Sequence, residues 1–168
     1  MELNFTGISK LEGIKEEFDI NEHLEDNTID FCGERLNIVS PVTVKGTMVN
    51  YDGKINVELR IATQVERVCS RCLEKFSDEI VASADYVFVK EADGCKEDYY
   101  TYKNEKADIT NLVIGEITAE LDMKPLCSEN CKGLCQICGK DRNSKECQCR
   151  KEEIDPRMQV LSKLLDRK

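Results

Sequence analysis

Eight of the ten cysteines fall into four close pairs, and no other feature limits the fold so tightly. Cys69 and Cys72 form a CxxC, Cys127 and Cys131 a Cx3C, Cys135 and Cys138 a second CxxC followed by Gly139, and Cys147 and Cys149 a CxC. A CxxC turn aims two sulfurs at one point, and the N–H groups of the turn stabilise the thiolates. Gly139 suits such a turn because glycine takes positive φ without steric cost. Structural zinc is tetrahedral and takes four such ligands. Eight thiolates therefore make two complete sites, and two zinc ions per chain are expected. Cys32 and Cys95 remain, read as a buried thiol and a loop thiol rather than as ligands.

The compartment decides between metal and disulfides. Residues 1–30 are acidic and carry no apolar signal region. No apolar run approaches the roughly 20 residues of a membrane helix. The expectation is a cytoplasmic protein with no membrane association, and in a reducing compartment clustered cysteines point to metal.

Loop closure favours one partition of the pairs. Cys135, Cys138, Cys147 and Cys149 lie within 15 residues, so closing them on one ion costs little chain entropy. Cys69 and Cys72 then need distant partners, and Cys127 and Cys131 are what remains. That first site would staple a sheet to a segment more than fifty residues later. Spacing alone leaves the other partition open. Iron fits the same four thiolates. A redox CxxC usually opens a helix that lowers the nucleophile's pKa, whereas strands flank Cys69 and Cys72 here.

The middle of the chain reads as antiparallel sheet. Val42, Val44, Gly46 and Met48 alternate with other residues, and Ile55, Val57, Leu59 and Ile61 alternate with Asn56, Glu58 and Arg60. Tyr51-Asp52-Gly53-Lys54 between them is a tight hairpin turn. A further strand runs from Phe76 to Val89, with Ile80, Ala82, Ala84, Tyr86 and Phe88 on one face. Short strands near Leu3–Phe5 and Phe18–Ile20 are expected in an otherwise unpatterned first forty residues. Residues 91–107 read as an acidic loop. Asp108 or Thr110 caps a helix near 110–122, with Ile109, Leu112, Val113, Ile117 and Leu121 on one face and Pro125 as its stop. Asp155-Pro156-Arg157 opens a C-terminal helix over 155–166, with Met158, Leu161, Leu164 and Leu165 as its stripe. The organisation expected is a mainly β domain over 1–126, a cysteine-rich segment over 127–150 and that last helix. The fold class is α+β: a mainly antiparallel β domain with one or two packed helices and a small C-terminal zinc ribbon or knuckle.

The net charge of −9 is uneven. Residues 1–31 carry −7, residues 32–122 carry −6 and residues 123–168 carry +4. An acidic chain is not drawn to nucleic acid by bulk charge. RNA contact would be local, with Lys124, Lys132, Lys140, Arg142, Lys145, Arg150 and Lys151 as candidates. Each taken alone is as well explained as solvated surface around an anionic metal site.

Catalytic signatures are absent. His23 is the lone histidine and stands in an acidic stretch. No phosphate-binding glycine loop and no deaminase motif occurs. A zinc with four protein ligands has no open position for a reacting group. Neither an enzyme nor a small-molecule substrate is indicated.

Val68-Cys69-Ser70-Arg71-Cys72-Leu73-Glu74, followed by Pro125-Leu126-Cys127-Ser128-Glu129-Asn130-Cys131-Lys132-Gly133-Leu134-Cys135-Gln136-Ile137-Cys138-Gly139, resembles the YceD family. Ser40-Pro41-Val42, Cys147-Gln148-Cys149 and Asp155-Pro156-Arg157 extend the resemblance, which runs from about Leu11 to near the C-terminus. Arg142 departs from it, standing where an apolar residue is expected. The resemblance implies a bacterial or organellar ribosome-biogenesis factor, needed for normal accumulation of large-subunit (23S) ribosomal RNA. Its partners would be a ribosomal RNA precursor or a large-subunit ribosomal or processing protein. The resemblance carries over no catalytic residue. A zinc-thiolate redox sensor is the rival reading.

Overall fold

The computed structural model describes residues 1–24, 26–91, 99–144 and 147–149. The alternating segments form a long twisted antiparallel core. Strand β5 (Val42–Tyr51) turns into β6 (Lys54–Val68), with Tyr51 opposite Lys54. Asp52 and Gly53 take φ of +53° and +72° at that turn, both left-handed as a two-residue hairpin of this twist requires. Strand β7 (Lys75–Lys90) runs antiparallel along nearly all of β6. On the other side of β6, β5 pairs with its first half and the end of β4 (Glu34–Ile38) pairs near Val65 and Glu66. Strand β2 (Lys15–Glu22) covers the far edge of β5, and β3 (Thr28–Phe31) forms a hairpin with β4.

The pairing puts one face of every strand inward. Val42, Val44, Met48, Ile55, Val57, Leu59, Ile61, Val65, Ile80, Ala82 and Phe88 are buried there. Their alternates, such as Glu58, Arg60 and Ser83, face water. Gly46 is needed inside β5, because a Cβ there would come within 2.2 Å of the Glu58 carbonyl and 2.7 Å of the Phe18 ring. The helix α1 (Thr110–Glu120) lies against β7 and lays Val113 and Ile117 on the apolar face. The Asp108 carboxylate accepts the Thr110 N–H (2.9 Å) and hydroxyl (2.6 Å), which satisfies one free donor of the first turn. The helix ends at Glu120, five residues before Pro125.

Two pieces of pairing go beyond the periodicity. Within the region read as a loop, β8 (Tyr100–Tyr102) adds to the end of β7 in parallel, and β9 (Lys106–Asp108) pairs with β1 (Glu2–Asn4). Both are three residues long, too short to display a period, and the partner of β9 is distant in sequence. The β3–β4 turn also corrects the reading of Cys32. This thiol is exposed, at φ +51° beside Gly33, because a left-handed two-residue turn points its side chains to solvent. Cys95 and the helix expected over 155–166 lie outside the described residues. Among the described residues the architecture is mainly antiparallel sheet with one α-helix and a C-terminal cysteine cluster, of the α+β type.

One buried cation ties the sheet to the segment after the helix. Arg67, near the end of β6 and 3% exposed, pairs with Asp78 on β7 at 3.0 Å and donates to the Asp122 carbonyl. Asp122 starts the segment that returns past Pro125, where the Ser70 N–H donates to the Pro125 carbonyl at 2.9 Å. The sheet thus delivers Cys69 and Cys72 to the place where Cys127 arrives.

Candidate metal centres

The eight paired cysteines gather into two sets of four. Cys69, Cys72, Cys127 and Cys131 form one, and Cys135, Cys138, Cys147 and Cys149 the other, with the sulfurs of each set within 4.8 Å of one another. The same local fold presents the first pair of each set. In the β6–β7 connection, Cys69 N–H donates to the Glu74 carbonyl (2.9 Å) and Leu73 N–H to the Cys69 carbonyl (3.0 Å). At the second set, Cys135 N–H donates to Lys140 (2.8 Å) and Gly139 N–H to Cys135 (2.8 Å). The fifth residue of each turn is left-handed: Leu73 at φ +62° and Gly139 at +69°. Glycine signals the second knuckle in sequence. Leucine hides the first, since it accepts a conformation that costs about 1–2 kcal/mol.

The donor sets fit a tetrahedral metal. Metal–sulfur bonds of about 2.3 Å in tetrahedral geometry separate the sulfurs by about 3.8 Å. Cys69 and Cys131 lie 3.8 Å apart and Cys72 and Cys127 3.6 Å, far beyond the roughly 2.05 Å of a disulfide. Protonation differs within each set. Burial would raise the Cys69 thiol, but backbone N–H groups of Cys127, Cys72 and Arg71 outweigh it and bring it down to about 6. The N–H groups of Cys138 and Ile137, with the Cys147 thiol, likewise hold Cys135 at about 6. Cys72 accepts one N–H from Glu74, yet burial and its three sulfur neighbours push it up to about 12. Cys138, burial and Cys135 push Cys149 to about 12. Four sulfurs this close do not all ionise unless a cation balances them. Both clusters can hold a metal ion.

The two sets differ in exposure and share a seam. Cys69, Cys72 and Cys131 are buried with Phe76 and Leu126, whereas Cys138 is exposed. Between the sets, Gly133 (φ +65°) lies against Arg71, where a Cβ would sit 2.9 Å from the carbonyl oxygen. Leu134 N–H donates to that carbonyl (3.1 Å), and the Arg71 guanidinium donates to the Cys131 carbonyl (3.0 Å). Arg142 N–H donates to Gly133 (3.0 Å), and the Asn143 side-chain amide lies 3.3 Å from Cys131 Sγ. Sequence reasoning missed Arg71, Gly133 and Asn143 as parts of the site. Only the left-handed potential of Gly133 was visible as a signal. Arg142 is exposed, and its role in the seam is carried by its backbone, which no apolar side chain is needed to serve.

Of the candidate contact residues, Lys124, Lys132, Lys140 and Arg142 are exposed around the two clusters. Lys145, Arg150 and Lys151 lie outside the described residues. His23 is exposed and far in sequence from either cluster. No helix among the described residues is long and apolar enough to cross a membrane.

An uncharacterized protein YlbN of Bacillus subtilis (strain 168) is 29% identical over 154 residues, covering 90% of each chain. No solved structure matches the chain. The family model of the large ribosomal RNA subunit accumulation protein YceD matches residues 57–165, well over half of the sequence, including every cysteine of both clusters. The chain, with its two four-sulfur clusters at the foot of a one-sided sheet, belongs to the YceD family.

Proposed function

We propose that this chain is a non-enzymatic, zinc-binding ribosome-biogenesis factor of the bacterial cytoplasm, supporting accumulation and maturation of 23S ribosomal RNA by binding RNA or a ribosomal or processing protein. Its family implies a role in ribosomal RNA accumulation. The observation that carries the rest is the grouping of eight sulfurs into two sets of four. A metal held by four thiolates has no position left for a substrate or water, so its part is structural. Zinc is favoured over iron because it takes this geometry without redox chemistry. Cys69, Cys72, Cys127 and Cys131 would hold one ion, and Cys135, Cys138, Cys147 and Cys149 the other. Residues 1–126 serve as the scaffold and 127–150 as the metal-built tail. Lys124, Lys132, Lys140 and Arg142, with Lys145, Arg150 and Lys151 of the same stretch, are the contact residues for a polyanion.

The test is complementation. In a strain lacking the gene, wild-type protein restores the ratio of 23S to 16S ribosomal RNA and Cys69→Ser/Cys72→Ser does not. Full rescue by that variant would overturn the structural role of the metal. Replacing the four described basic residues by glutamine weakens RNA binding and flattens its salt dependence if contact is direct. Unchanged binding would move the contact to a protein partner. A redox sensor is the second reading, favoured by the exposure of Cys138. Reversible metal release under mild peroxide, with a matching change in ribosomal RNA level, would establish it.

A further inference from the structure

The seam between the clusters contains a side chain whose position serves one centre while its backbone belongs to the other. Asn143 lies in sequence between Cys138 and Cys147, two members of the second set of sulfurs. Its side-chain Nδ2 donates to Cys131 Sγ, a member of the first set, at 3.3 Å. Three bonds fix the amide there. Its Oδ1 accepts the Lys132 N–H at 2.8 Å. The Asp141 carboxylate accepts both the Asn143 N–H (3.0 Å) and Nδ2 (2.9 Å). The segment is itself pinned by the Leu134–Asp141 bridge and by Arg142 N–H on the Gly133 carbonyl (3.0 Å).

From this we infer that the two centres are coupled, with Asn143 as the positioning residue: closing the second centre sets its amide against Cys131 and tightens metal binding at the first. An N–H donor stabilises a thiolate over a thiol, and outer donors of this kind change metal affinity by about 10–100-fold. Coupling is reciprocal, so a filled first centre tightens the second by the same factor. The inference rests on both clusters holding metal as proposed above. The chemistry needs no direct sulfur shared between the ions. Cys131 and Cys135 stand four residues apart, each in its own set, and the amide reaches across the gap.

The test uses the full chain, freed of metal under reductant and titrated with Co²⁺ against a chelator, following the thiolate-to-cobalt absorption. Withdrawal from the first centre is assigned with Cys147→Ser/Cys149→Ser, which retains only that centre. The expected result is that Asn143→Ala and Cys147→Ser/Cys149→Ser each weaken the first centre by about 10–100-fold, and that combining them weakens it little further. Asn143→Asp keeps the acceptor for Lys132, loses the donor to Cys131 and sets a carboxylate against Asp141, so it weakens the first centre as well. Loss of the N–H···S bond also shifts the absorption to lower energy. A first centre indifferent to Asn143, or losses that simply multiply, would overturn the coupling while leaving both metal sites standing. Failure of wild-type protein to bind Co²⁺ through its thiolates would overturn the coupling and the metal sites together.

Discussion

Two glycines in the cysteine-rich segment share a left-handed backbone but differ in what surrounds them, and their alanine variants measure the seam directly. Gly139 takes φ +69° with nothing within 4 Å of where a Cβ would stand. Gly133 takes φ +65°, but its Cβ would lie 2.9 Å from the Arg71 carbonyl oxygen and 3.2 Å from Arg71 Cβ. A left-handed alanine costs about 1–2 kcal/mol, offset by about 0.4–1 kcal/mol from stiffening the unfolded chain. Gly139→Ala therefore costs about 0.5–1 kcal/mol. Gly133→Ala adds a clash with backbone that cannot swing away, of the size of overpacking, about 1–3 kcal/mol. The movement needed would also stretch the Leu134–Arg71 bond of 3.1 Å. The total is about 1.5–4 kcal/mol, a Tm drop of roughly 3–16 °C for a chain of this size. Thermal unfolding of metal-loaded protein by circular dichroism, with chelator competition in parallel, reads both variants. If Gly133→Ala costs no more than Gly139→Ala, the close approach of the two knuckles is wrong.

Further predictions concern the scaffold and the thiols. Arg67→Met leaves Asp78 and the Asp122 carbonyl without their buried partner and lowers stability by about 2–4 kcal/mol in urea titration, whereas Arg67→Met with Asp78→Leu recovers part of the loss. Leu73, left-handed with its side chain 64% exposed, gains from glycine. Leu73→Gly raises the stability of the loaded protein by up to about 1 kcal/mol and Leu73→Val lowers it, both read as Tm. In metal-free protein at pH 7, Cys72 and Cys149, both at about 12, and Cys127, also raised, still carry protons. Metal binding needs them as thiolates, so at least these three protons leave. Protons favour the metal-free form, and affinity falls at least about tenfold per pH unit as pH drops from 8 to 6. Calorimetry in buffers of different ionisation enthalpy counts the protons, and a release of one or none would contradict this assignment.

How much of the structure could be read in the sequence depends on how local its cause is. The β5–β6 hairpin is set by Asp52-Gly53 and the two-residue alternation on either side, so it was legible. The grouping of Cys135, Cys138, Cys147 and Cys149 needs only a short loop to close, and the structure holds those four together. The β3–β4 hairpin was not legible, because Cys32 takes φ +51° where asparagine or aspartate would have given a signal. Strand β9 exists through a partner far away, Ala107 standing opposite Leu3, and neither it nor β8 has more than three residues in which to show a period. The seam was hidden for another reason. Arg71, Gly133 and Asn143 act through backbone carbonyls, one guanidinium and one amide, each bonded to distant backbone or sulfur, and such bonds leave no spacing pattern.

The central claim is that eight thiolates form two closed metal centres. Elemental mass spectrometry of the full chain, purified under reductant without chelator, tests it most directly. Two zinc ions per chain, lost stepwise in Cys69→Ser/Cys72→Ser and Cys147→Ser/Cys149→Ser, is the predicted result. One ion per chain would contradict the account and leave four of the thiols to be explained by redox chemistry, and iron in place of zinc would overturn the choice of metal while leaving the two centres standing.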